Sequence, residues 1–144
     1  MTVRRIGSKG RTLVKSFESL ELTAYLCPAD VWTIGYGSTG PLVKRGLTIT
    51  ASRADELLTE DLDRFERCVS TQAPTATQNQ FDAMVSLAFN IGITNFTSST
   101  LLRKHRAGDH IGARAEFARW NKARGKVLAG LTRRRAAEAA LYAA

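Results

Sequence analysis

The segment AYLCPADVWTIGYGSTG, residues 24 to 40, constrains the fold most, because the chain contains no other stretch like it. Pro28, Gly35, Gly37 and Gly40 punctuate a run filled with β-branched and aromatic residues, the signature of short strands and turns. On both sides of it apolar residues recur at helical spacing instead. Upstream, Leu13, Val14 and Phe17 predict a helix over residues 8 to 19, with Ser8 as its cap. Downstream, Thr50 caps a helix carrying Ala54, Leu57, Leu58, Leu62 and Phe65 to about residue 71, and Pro74 breaks it. Thr77 opens another, in which Phe81, Met84, Val85, Leu87, Ala88 and Phe89 are so apolar that it is expected to be the most buried; Gly92 ends it. Shorter helices are expected near 98–106, 109–123 and 132–142. Strands do not alternate with long crossover helices, which argues against a parallel α/β sheet. The expectation is α+β and mostly helical, with a small β lobe packed against a helical bundle and a cleft between them. All of residues 1–144 form one domain in this reading, with the first helix and β lobe at about 8–45 and the helical lobe at about 50–144.

A chain of 144 residues buries about two thirds of its unfolded surface, so it needs no covalent staple. Its two cysteines, Cys27 and Cys68, are too few for a disulfide scaffold, although a bond between them remains open and would block any site at Cys27. No stretch reaches the roughly 20 apolar residues that cross a bilayer. The opening MTVRRIGSKGRTLVKSF has no apolar core or cleavage site, so no signal peptide is expected. Charge is distributed unevenly. Residues 1–102 are neutral on balance, and all of the net +8 falls in residues 103–144. A one-sided basic surface attracts polyanions such as nucleic acid, anionic lipid or an acidic wall polymer, and charge alone does not choose among them.

The chemistry lies around the β segment. Glycoside hydrolysis needs a carboxylic acid beside the scissile oxygen and a second group that handles water on the other face of the sugar. Glu18, flanked by Phe17 and Leu20 at the end of the first helix, is a candidate acid, with Glu21 as the nearby alternative. Taken in isolation, either is more often a solvated surface residue. The segment FESLELTAYLCPADVWTIGYGSTG, however, resembles the active-site signature of the phage lysozymes of the T4 type. That pattern is a Glu, eight residues, an Asp or Cys, five residues, then a Thr; here it gives Glu18, Cys27 and Thr33. TQNQFDAMVSLAFNIG at 77–92, STLLRK at 99–104, Phe117 to Trp120, and GLTRRRAAEAALY at 130–142 resemble later blocks of the family in the same order. The resemblance spans nearly the whole chain.

The resemblance implies a lysozyme fold and an endolysin that cleaves the β-1,4 bond between N-acetylmuramic acid and N-acetylglucosamine in bacterial peptidoglycan, with inversion. Glu18 is then the general acid, Thr33 orients the attacking water, and Cys27 stands where a second carboxylate is the other choice. A free thiol, with a pKa of about 8.5, is a weak base near neutrality unless something stabilises its thiolate. The implied substrate contacts are Tyr36, Phe89, Asn90 and Ser99. Asn90 is expected to be a buried amide in need of partners, whereas Ser99 is expected first as a helix cap. Trp32, Ile34 and Tyr36 alternate along a strand as lobe core, with Thr33 and Gly35 on the opposite face. Of Arg133, Arg134 and Arg135, one is expected to pair with Glu18 or brace the lobe junction. Cys68 is expected as a buried free thiol. No metal or cofactor is implied. The implied setting is a monomer in the host cytoplasm, released through a holin pore to the periplasm and wall. Its basic last third would face an anionic wall or membrane.

Two departures from the family pattern are Ser19, where Gly usually follows the acid, and HRAGD at 105–109. Two rival readings stand beside the lysozyme one. A lytic transglycosylase would use Glu18 without Cys27 or Thr33. A non-catalytic basic protein would bind membrane or nucleic acid, but no nucleic-acid-binding signature accompanies the charge.

Overall fold

A computed structural model describes residues 2–144. In chain order the elements are α1 (Ser8–Phe17), β1 (Glu21–Leu26), β2 (Trp32–Gly35), α2 (Ala51–Gln72), α3 (Gln78–Ile91), α4 (Ile93–Thr97), α5 (Thr100–Arg106), α6 (His110–Glu116), a 3-10 turn (Phe117–Arg119), β3 (Lys122–Ala123), β4 (Lys126–Val127) and α7 (Ala129–Ala143). The architecture is α+β and mostly helical, as expected. Two compact units partition the chain: residues 14–63, and residues 1–13 with 64–144. Both α1 and α2 therefore pass from one unit into the other.

In the smaller unit β1 pairs antiparallel with β2, with Tyr25 opposite Thr33 and Leu26 opposite Trp32. Residues 47–49 add a third edge on the far side of β1, through Ala24 N–H to the Leu47 carbonyl and Ile49 N–H to the Leu22 carbonyl. β1 is largely exposed, whereas Thr33, Ile34 and Gly35 are buried and Trp32 is half-buried. Ile34, with Val14, Ala54, Leu58 and Leu62, makes the core of this unit. Of the three residues expected there, Trp32 and Tyr36 are only half-buried.

In the larger unit α3 is the centre: Gln80 to Ala88 are all buried. Its start is a capping box, in which the Thr77 hydroxyl accepts from Gln80 N–H and the Gln80 side chain accepts from Thr77 N–H. α7 packs along it and inserts a charged cluster. Glu138 is fully buried; its carboxylate accepts from the Ser86 hydroxyl at 2.5 Å and meets Arg135 at 2.7 Å and Arg134 at 3.3 Å. Burial pushes the Glu138 carboxyl up, against the opposing pull of Arg135, Ser86 and Arg134. Arg135 also donates to the Trp120 carbonyl, tying the chain before β3 to α7.

Three local expectations are corrected. Ser8 is the first helical residue of α1 and not its cap. The Gly7 carbonyl accepts the first helical bond, and the Gly7 and Gly10 amides are capped from a distance by Asp82 of α3, at 2.9 and 3.2 Å. The helix expected over 109–123 ends at Glu116, and residues 122–127 form a second hairpin. Its Arg124 and Gly125 have φ of 52° and 78°, the left-handed pair that a two-residue hairpin turn requires and a helix forbids. α7 accordingly starts at Ala129, three residues early. The short α4, unforeseen, begins directly after Gly92, whose φ of 95° ends α3.

Gly10 faces α3 so closely that an added Cβ would lie 2.5 Å from Asp82 Cβ and 2.7 Å from Ile6 Cγ1. Gly10→Ala is expected to cost about 1–3 kcal/mol by overpacking, read as a lower denaturation midpoint; a variant as stable as the parent contradicts the packing. Buried His105 bonds Tyr142 OH at 2.7 Å, and burial followed by repulsion from the stacked His110 ring lowers its pKa below 6.5. Below 6.5 the unfolded chain therefore takes up a proton that the folded chain resists, so stability falls as pH drops through that range. Thermal melts of His105→Gln are expected to show a shallower acid decline than the parent; an equal slope contradicts the assignment.

Candidate active site

Glu18 follows directly on α1, where its amide still donates to the Val14 carbonyl at 3.0 Å. Its half-buried side chain reaches the turn after β2. There Gly37 has a φ of 95°, and a Cβ added at that position would sit 3.7 Å from Glu18 Oε2. A side chain at Gly37 would thus be strained, with its Cβ in ordinary van der Waals contact with the carboxylate. The turn is held rigidly. Ile34 and Ser38 exchange two backbone hydrogen bonds, at 2.8 and 2.9 Å, and the buried Ser38 hydroxyl donates to the Asp61 carboxylate of α2.

Cys27 and Thr33 flank the loop between β1 and β2. Pro28 opens a turn in which Asp30 N–H donates to the Cys27 carbonyl at 2.8 Å, and Asp30 takes the left-handed conformation with φ of 60°. Cys27 N–H donates to the Val31 carbonyl and closes the loop. Strand alternation does the rest. Tyr25 lies opposite Thr33, Cys27 is two residues beyond Tyr25, and Val31 is two before Thr33. All four therefore share one face of the hairpin, and chain spacing alone would not reveal that Cys27 and Thr33 lie side by side.

The surroundings of Cys27 lower its pKa below the ordinary thiol value. Hydrogen bonds from the backbone amides of Val31 and Ala29 lower its pKa; slight desolvation opposes them, the Thr33 hydroxyl adds to the lowering, and the Asp30 charge opposes it. The Thr33 hydroxyl also lies 2.9 Å from the Val31 carbonyl, to which it donates. Its one proton serves the carbonyl or the sulfur, according to whether Cys27 carries its own.

Tyr36 is half-buried beneath Lys15, whose Nζ lies 5.3 Å from the ring centre and 2.7 Å from Asp55. The Asp55 hydrogen bond is the main reason that the Lys15 pKa is raised. Glu18, Cys27, Thr33 and Tyr36 thus all belong to the smaller unit. Phe89, Asn90 and Ser99 belong to the larger one. Phe89 is half-buried, edge-on to Phe65 at 5.3 Å. Asn90 is exposed, which corrects the expectation of a buried amide: α3 runs out of neighbours at its last turn. Ser99 is buried and caps α5, accepting from Leu102 N–H at 3.1 Å and donating to the Phe96 carbonyl at 2.6 Å. Of the arginine run, Arg134 and Arg135 serve Glu138, and Arg133 is exposed. Both cysteines are free thiols.

Sequence reasoning missed Tyr25. Burial raises its pKa, and the negative charges of Glu21, Cys27 and Glu18 add to the rise, which puts its hydroxyl within electrostatic reach of the acid and the thiol. Its position two residues before Cys27 on a strand was the available signal. Among the described residues, no group of three His, Cys, Asp or Glu is placed to hold a metal ion.

Comparison with known proteins points to one family. The phage lysozyme family model matches residues 15–138. The chain is 49% identical over 142 residues to an endolysin of Acyrthosiphon pisum secondary endosymbiont phage 1, covering 95% of this chain and 97% of that one. Among solved structures, the muramidase domain of SpmX from Asticaccaulis excentricus superimposes with a TM-score of 0.91 at 40% identity, covering 98% and 99% of the two chains. An endolysin from Escherichia coli O157:H7 phage FAHEc1 gives 0.90 at 38% identity, covering 98% and 94%.

The two thiols are expected to differ in reactivity. Burial raises the pKa of Cys68, whereas the loop amides lower that of Cys27. Timed alkylation with iodoacetamide near neutral pH, read by peptide mass mapping, is expected to label Cys27 first. Equal rates, or faster labelling of Cys68, contradict the loop geometry.

Proposed function

The chain belongs to the phage lysozyme family, and from that premise we propose that Glu18, Cys27 and Thr33 form its hydrolytic centre. The protein is an endolysin, a glycoside hydrolase that cuts bacterial peptidoglycan. The observation that carries the site assignment is the register of β1 and β2, which sets Cys27 beside Thr33 on one face, together with the approach of the Gly37 turn to the Glu18 carboxylate.

The reaction follows from those groups. Glu18 delivers its proton to the glycosidic oxygen as the bond to the anomeric carbon breaks. Thr33 holds a water on the opposite face of the sugar. The water oxygen bonds to the anomeric carbon, and its proton passes to the Cys27 thiolate. The thiol later returns a proton to Glu18 through solvent, and the centre is restored. Attack from the face opposite the leaving group inverts the anomeric configuration. Support for a base without a carboxylate comes from the Ala29 and Val31 amides, which do for the sulfur what a cation would otherwise do. Tyr36 adds a flat wall to the sugar site, stiffened by Lys15; Phe89 and Asn90 are further substrate contacts in this reading, and the Ser99 hydroxyl is taken up by the cap of α5.

The same reading covers the setting. The protein acts as a monomer and without a cofactor. An enzyme made on host ribosomes meets peptidoglycan only beyond the membrane, so a holin pore provides its release. Among the described residues, no helix is long and apolar enough to cross a membrane. The basic last third draws the enzyme to an anionic wall or membrane surface.

Turbidity loss of peptidoglycan suspensions tests the centre. Glu18→Gln is expected to fall by about 10²–10⁴-fold, the usual worth of a positioned general acid. Cys27→Ala is expected to lose most activity, and Cys27→Asp to stay within about tenfold of the parent. Full activity in Glu18→Gln, or in Cys27→Ala, removes that residue from the mechanism.

A further inference from the structure

The excess charge of the last third does not lie where its densest run suggests. Arg134 and Arg135 are buried against Glu138, and Arg119 and Lys104 pair with Glu116 at 2.9 and 3.3 Å. What remains near the second hairpin is Lys122, Arg124, Lys126 and Arg133, all exposed and none in an ion pair among the described residues. No acidic residue occurs between Glu116 and Glu138, so nothing in that stretch offsets them.

The hairpin also exposes aliphatic surface. Val127 is 59% exposed and Leu128 44%. Lys122 lies directly across from Val127, and strand alternation puts Lys126 and Leu128 together on the opposite face. Each face of the ribbon thus carries one cation beside one aliphatic side chain, and Arg124 stands at the tip. The tip is preset by its two left-handed residues, and the base is held by the Leu128 N–H bond to the Asn121 carbonyl at 3.0 Å and by Arg135 on the Trp120 carbonyl.

From this juxtaposition we propose that the β3–β4 hairpin is a docking element for an anionic lipid surface. A soluble polyanion would reward the cations and leave Val127 and Leu128 in water. The boundary between headgroups and acyl chains rewards both at once, with cations level with the phosphates and aliphatics just beneath. A ribbon that carries both on each face enters tip first. Arg133, in the first turns of α7 beside the hairpin's base, adds a fourth cation. The proposal rests on the reading of the basic third as a surface-seeking element, and does not depend on the hydrolytic centre.

Sedimentation of the full chain with vesicles tests it, comparing phosphatidylglycerol mixed with phosphatidylcholine against phosphatidylcholine alone. The parent is expected to sediment with the anionic vesicles only. Each charge removed is expected to weaken partitioning about fivefold, so K122Q/R124Q/K126Q falls on the order of a hundredfold. V127S/L128S is expected to bind more weakly at every salt concentration while keeping the parent's salt dependence. Circular dichroism and thermal melts report that each variant is folded. Glu18→Gln is expected to bind vesicles like the parent, which separates failure of this proposal from failure of the hydrolytic one. The proposal is overturned if the parent ignores anionic vesicles, if the hairpin variants partition like the parent, or if the parent binds soluble polyphosphate and no vesicle.

Discussion

A helix N-terminus leaves amide protons with no partner inside the helix, and each one left unmade where protein excludes water costs about 1–3 kcal/mol. α1 meets this demand with the carboxylate of Asp82, 1% exposed within α3, which takes the Gly7 and Gly10 amides. The preceding residues are fixed in the same manner. The Ile6 amide and the Arg5 side chain bond the buried Glu66 of α2, the Arg4 amide bonds Ser70, and the Arg4 guanidinium caps the Ala76 carbonyl. Six residues on from the start of α1 its apolar face becomes core at Val14, and four further on stands Glu18. The start of α1 is thus held by polar contacts from residues far from it in sequence. At Gly10 no Cβ fits between Asp82 and Ile6.

The second constraint is the buried Glu138 cluster. A charge taken out of water is tolerable only when it is paired and hydrogen-bonded, and here two guanidiniums and a hydroxyl share one carboxylate. Its demands reach outwards. Arg135 fixes Trp120, Trp120 precedes β3, and the hairpin that follows presents the free cations. One cluster therefore joins α7 to α3 and also decides which arginines remain for a surface role.

The large features were legible in the sequence because they follow from periodicity and punctuation. The β segment at 24–40, the central apolar helix after Thr77, the cap at Thr50 and the spacing of Glu18, Cys27 and Thr33 all depend on residues near each other in the chain. The misses have a common cause in long-range contacts. Ser8 looked like a cap, but Asp82, 72 residues beyond Gly10, does that work. One member of the arginine run was expected to pair with Glu18 or brace the lobe junction, and the buried Glu138, invisible as a partner in the sequence, takes two of them. The hairpin at 122–127 was hidden because its signal was only Arg-Gly, and a left-handed arginine is rare enough to be overlooked. Asn90 was expected to be buried because it follows an apolar run, yet the run ends just before it.

Cys27 began as the weak member of the centre, since an ordinary thiol holds its proton near neutrality. The loop built on Pro28 and Asp30 works against that by turning two backbone amides towards the sulfur, which lowers its pKa. The account then depends on a water held opposite Glu18, handled by Cys27 and Thr33. Proton NMR of the first product formed from a defined peptidoglycan oligomer tests this most directly. Single displacement by water predicts that the α-anomer appears first and mutarotates to the β form. A β-anomer formed first, or a 1,6-anhydro product, would contradict it.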